Sequence, residues 1–173
     1  MHLLFLSWYN AVFSSISLQA APQPKTKEEL QEWIKECDGG VKNHGEPNTW
    51  DVTLVTDMSK LFKNMENFNA PIDQWNTSEV TDMNLMFACA SSFNQPITMD
   101  TSKVINMYGM FQYATSFNSP ITMDTSKVTD MDDMFFGADA MTHPKPSLKA
   151  AGEEKEAAVS NFFFESVADQ NQK

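Results

Sequence analysis

Aspartate, asparagine and threonine recur along the middle of this 173-residue chain in columns that could do oxygen chemistry. Asp51, Asn76, Asp100 and Asp124 fall at equivalent places 24 or 25 residues apart, and Thr77, Thr101 and Thr125 directly follow three of them. Such side chains bond neighbouring backbone amides and hold turns. Where several oxygens converge, they bind calcium instead. The glycine-rich calcium repeat of other solenoids is absent, so the column is expected to cap turns. Weak calcium binding by the acidic face is the alternative, and ice binding by the threonine ladder is a third reading.

Other reactive side chains are scattered. His2, His44 and His143 lie in the leader, in a turn-rich stretch and in the last unit, so no nucleophile, base and orienting acid are brought together by the repeat. Cys37 and Cys89 lack the paired-ligand spacing of a zinc site and are too few for a disulfide framework. They read as two free thiols, with a bridge between them left open. The expectation is a chain that is not an enzyme, with no catalytic residues, no metal ligands and no cofactor.

What must position the columns is a repeated segment. Its anchors are Val55-Thr56-Asp57-Met58, Val80-Thr81-Asp82-Met83, Val104-Ile105-Asn106-Met107 and Val128-Thr129-Asp130-Met131. An apolar pair comes after each at the same offset (Leu61-Phe62, Met86-Phe87, Met110-Phe111, Met134-Phe135), and Trp50, Trp75, Met99 and Met123 each precede an anchor by five residues. A Phe-Asn-x-Pro-Ile stretch closes the first three units, ending at Ile72, Ile97 and Ile121. Self-similarity at this period marks a solenoid, in which stacking neighbours complete the core. Val and Thr favour strands, whereas Val80, Met83, Met86 and Phe87 have helix-like spacing. The fold class expected is therefore an α/β repeat solenoid, with a short strand at each Val-Thr-x-Met, one or two helical turns around Met-Phe, and a second extended piece at the proline.

The flanks differ from the repeat. Thr26 and Glu29 have the capping-box form, and Leu30, Trp33, Ile34 and Cys37 share one helical face that Gly39-Gly40 terminates, so 26–49 is expected to be an N-terminal capping helix and bridge. Four repeats fill 50–145, the last eroding where Lys145 replaces the core isoleucine. Residues 146–173 form a polar tail; 153–169 could make a helix with Val159, Phe162, Phe163 and Val167 on one side, or stay disordered. Residues 1–24 carry no acidic residue and no lysine, and read as a signal peptide or a disordered leader, too interrupted by serine for a confident membrane span.

Net charge is −11 and there is no arginine, so a phosphate-binding surface has little to be built from and nucleic acid is not an expected partner. The acidity runs through the repeats and suits solubility, cationic partners or loosely held divalent ions.

The units resemble the repeat of the BspA-like leucine-rich-repeat surface proteins. The resemblance rests on Trp50-Asp51-Val52-Thr53-x-Val55-Thr56-Asp57-Met58-Ser59, on Met86-Phe87-x-x-Ala90-Ser91-Ser92-Phe93-Asn94-Gln95-Pro96-Ile97 and on Asp100-Thr101-Ser102-Lys103-Val104, and covers about residues 26–141. It departs where the usual Trp becomes Met99 and Met123 and where the final unit erodes. It implies leucine-rich-repeat-like coils, secretion or cell-surface exposure, and adhesion or binding to a protein or glycan, with no catalytic residues. The positions offered as a binding face are Lys60, Asn84, Tyr108 and Asp132, taken as one repeat-equivalent place occupied by unlike residues on a fixed scaffold. A monomer is expected; a structural protein assembling through its ends is the alternative.

Overall fold

The structure is a computed structural model in which residues 20–147 are described. Its N-terminal element is α1, Lys27–Asp38. The Thr26 hydroxyl accepts from the Glu29 amide at 3.2 Å, and the Glu29 carboxylate reaches back to the Lys25 amide at 2.8 Å, one residue earlier than a regular capping box would have it. At the other end Gly40 takes φ +81°, which lets Gly40 donate to the Cys37 carbonyl and Val41 to that of Glu36. That pair of bonds is a Schellman closure. Leu30, Trp33 and Ile34 are buried in the core that the repeats share, with Trp33 edge-on to Trp50 at 5.4 Å. A single 3₁₀ turn, Pro47–Thr49, leads into Trp50.

Beyond it, the chain makes four layers that begin at Trp50, Trp75, Met99 and Met123 and stack through like residues. Phe62, Phe87, Phe111 and Phe135 lie ring on ring, with centroids 4.8, 5.3 and 5.4 Å apart and planes within 8°. Phe68, Phe93 and Phe117 form a second aromatic column at 6.2 and 6.0 Å. Offset rings at these distances add to plain area burial.

The expected α/β solenoid of strands and helical turns is not what these layers are. Among the described residues there is one α-helix and no strand; parallel pairing is confined to four isolated bridges, Asp57 with Asp82, Asp82 with Asn106, Asn106 with Asp130, and Ile97 with Ile121. The layers are turns and coil. Two features stop the Val-Thr segment from extending. Asp51, Asn76, Asp100 and Asp124 each accept from the amide two residues on, and so do Asp57, Asp82, Asn106 and Asp130. Two Asx turns six residues apart compete with a strand ladder. The expected Met-Phe helix fails because Lys60, Leu85, Gly109 and Asp133, and then Asn64, Cys89, Tyr113 and Gly137, all have φ between +53° and +71°. Residues in the left-handed region break a right-handed helix.

The backbone is nonetheless accounted for. From Met58 to Met65, alternate amides take turns: Leu61, Lys63 and Met65 bond carbonyls three residues back, while Met58, Lys60, Phe62 and Asn64 donate to Asp82, Asn84, Met86 and Ala88 of the next layer at 2.8–2.9 Å. Layers two and three repeat this outward pattern. Along this segment each layer therefore offers amides toward the C-terminal side and carbonyls toward the N-terminal side, while Thr81, Ile105 and Thr129 donate the opposite way, to the carbonyls of Thr56, Thr81 and Ile105.

Candidate binding surface

The polar columns are spent on holding turns within layers and on joining one layer to the next. Thr77, Thr101 and Thr125 are buried, and each hydroxyl donates onward to a carbonyl, of Asp100, Asp124 and Ser147 at 2.9, 3.0 and 2.8 Å. A third column joins them: the amides of Asn94, Asn118 and Thr142 donate to the side-chain oxygens of Asn69, Asn94 and Asn118. These groups have partners within the fold, which leaves them poorly placed to bind ligands.

Three of the turn carboxylates are drawn below the ordinary range. Hydrogen bonds from the Thr53 hydroxyl and amide draw Asp51 below the ordinary carboxylate range, and the Ser102 amide does the same for Asp100. Partial burial pushes Asp57 upward, but Lys27, at 2.9 Å, and Ser59 outweigh it and leave Asp57 lowered. Burial, then the charge of Glu46, raises the Cys37 thiol, which disfavours the thiolate. Cys37 borders a shallow cleft of 120 Å³ between the end of α1 and Phe68. That is well below the roughly 300 Å³ at which small-molecule pockets begin. Cys37 and Cys89 are both free. No group of three or more His, Cys, Asp or Glu among the described residues is arranged to hold a metal ion.

The four positions expected to form one variable column do not align. Asn84, Tyr108 and Asp132 each close an Asx turn on the residue two before them, and the residue that does so in the first layer is Ser59. Lys60 belongs one place on, with Leu85, Gly109 and Asp133, all at positive φ. Counting from Val55 shows the same offset, so the sequence itself carried this register.

Two exposed residues lie outside the positions expected to bind. Tyr113 and Phe136 are 47% and 56% exposed and meet edge to face at 5.3 Å. The Tyr113 ring lies across Gly137, where a Cβ would come within 2.4 Å of it. Nearby in the same two layers, the Tyr108 hydroxyl donates to Asp133 at 3.3 Å. Aromatic faces beside carboxylates are a recognition surface for cations and polar-apolar ligands alike. The available signal was the column itself, in which Lys63, Ala88 and Gln112 give way to Phe136.

Residues 28–148 match the family described as "Mycoplasma protein of unknown function, DUF285". The chain belongs to that family. No curated protein and no solved structure matches it. The match to DUF285 takes in α1 except its first residue, and all four layers. No helix among the described residues of this DUF285 chain is long and apolar enough to cross a membrane.

Proposed function

We propose that this chain is a non-enzymatic binding scaffold, secreted or displayed at a cell surface, that recognises a protein or glycan, in line with its resemblance to BspA-like surface proteins. One observation carries the reading. Residues that repeat are consumed by stacking and by interlayer hydrogen bonds, whereas Asn84, Tyr108, Asp132, Tyr113 and Phe136 vary in type on a backbone held constant. Variation of this kind on a rigid frame suits recognition. Assembly through the ends is the second reading, and it must contend with α1 lying over the first layer.

The test is a screen of the full chain on protein and glycan arrays, then titration of hits against Tyr113→Ala and Tyr108→Ala. The expected result is saturable binding weakened at least about tenfold by one of the two, the size of a hot-spot residue, with unfolding little changed. Binding that neither variant alters, or no saturable ligand at all, overturns the reading.

A further inference from the structure

The fourth layer ends unlike the three before it. Its amides equivalent to those that donate onward, Met131, Asp133, Phe135 and Gly137, have no acceptor among the described residues. Met131 and Phe135 are only partly buried, although Met58, Met83, Met107, Phe62, Phe87 and Phe111 at the same places are wholly buried. A row of unpaired donors beside apolar side chains is a template for another stretch of backbone.

The chemistry of that stretch can be read from the face. The layer carries Asp124, Asp130, Asp132, Asp133 and Asp139 against Lys127 and Lys145. The Lys145 ammonium lies 5.5 Å from the Phe135 ring centroid, so the face already holds one cation on an aromatic ring, and the exposed Phe136 is adjacent. A second copy fits badly. Two such faces would set the four donors against each other and bring like-charged aspartates together, and the complementary carbonyl edge of the first layer lies where Leu61 and Phe62 are fully covered. Residues 148–173 carry five carboxylates and three lysines, the same sign as the face they would have to meet.

Resting on the reading of this chain as a binding protein, we infer that the open face of the fourth layer docks an extended, lysine-bearing segment of another protein. That segment's backbone carbonyls accept from Met131, Asp133, Phe135 and Gly137, its ammonium groups pair with Asp132 and Asp133, and its apolar residues cover Phe135.

Amide hydrogen exchange on the full chain tests this, with a synthetic peptide of alternating lysine and isoleucine as probe and the glutamate-for-lysine peptide as control. In the free chain the four amides should exchange as solvent-facing groups. The lysine peptide should protect them saturably by about tenfold or more, the control should not, and Asp133→Asn should weaken the effect. Protection already present in the free chain overturns the proposal: it assigns the face to residues 148–173 if independent of protein concentration, and to a second copy if concentration-dependent. Saturable changes at Asn84 or Tyr108 without protection of the four amides overturn the docking site and leave the binding scaffold standing. Absence of any saturable effect overturns the docking site alone, because ligand binding in the array screen does not depend on it.

Discussion

The first layer lies beneath α1, which sets Leu30, Trp33 and Ile34 into the core and reaches Asp57 and Ser59 with Lys27 at 2.9 and 2.6 Å. The fourth layer has no such element over it among the described residues, and Phe135 there is partly buried with the Lys145 ammonium over its ring. This asymmetry comes from the layers themselves. A strand edge shows donors and acceptors alternately, but Met58 to Asn64 and their equivalents send four amides in one direction and receive them on carbonyls from the other, so along this segment the two ends differ in chemistry. The carbonyl end receives a lysine. The amide end is edged by aspartates.

Truncating each end in turn would break or sustain that contrast. Ile34→Ala, at a site with no exposure, should cost about 2–5 kcal/mol, as large-to-small changes in cores do. Phe135→Ala, despite the larger side chain, should cost less than half as much, because the ring is only partly buried and leaves little cavity. Urea unfolding of the two variants measures both. Equal losses would mean that the fourth layer is as well covered as the first.

The contrast was half visible in the sequence. Thr26, the Leu30-Trp33-Ile34 face and the Gly39-Gly40 stop announce a helix, since each is a local signal with a local cause. Lys145 in an isoleucine's place marks where stacking falters. The internal build of the layers was misread, because two incompatible periodicities overlap there and neither wins. Val80 and Thr81 suggested strand and Met83, Met86 and Phe87 suggested helix, but the Asx turn at Asp82 and the φ of +53° at Leu85 override both. Nothing in the identity of a leucine signals a left-handed backbone, which only the stack around it can enforce. The aspartates of the anchors were the readable clue, being turn formers placed where a strand was expected.

The threonine column offers a finer comparison. Thr101→Val keeps the shape of the side chain but leaves the Asp124 carbonyl without its hydroxyl donor between two layers, and should cost about 1–3 kcal/mol. The same change at Thr125, whose acceptor is the carbonyl of the exposed Ser147, should cost less, since water can replace the lost donor. Thermal unfolding of the pair decides it; a larger loss at Thr125 would reverse the order of the ends.

At the helix itself, Thr26→Ala removes the acceptor for the Glu29 amide and should cost about 1 kcal/mol. Loosening α1 without shrinking the core should speed exchange at the helix amides while leaving those of the fourth layer unchanged. Coupled changes at both ends would show that the stack opens as one unit.

The smallest effect expected belongs to the lysine at the carbonyl end. Asp57 is lowered in the folded chain, so it contributes stability above its ordinary value of 3.8 and loses that contribution as pH falls through its folded value. Lys27→Ala removes a charged donor 2.9 Å from a half-exposed carboxylate, which limits the loss at neutral pH to about 0.5 kcal/mol. Asp57 should then titrate higher, because the burial that pushes it upward is opposed only by Ser59. The difference between parent and variant should therefore shrink in acid, where Asp57 is protonated in both, to what the Lys27–Ser59 hydrogen bond leaves. A carboxylate titration of the two proteins by NMR, paired with their unfolding at neutral and acid pH, measures each step. An undiminished gap at low pH would mean that Lys27 acts through its bond to Ser59 and the packing of its methylene stem over the first layer rather than through the charge of Asp57.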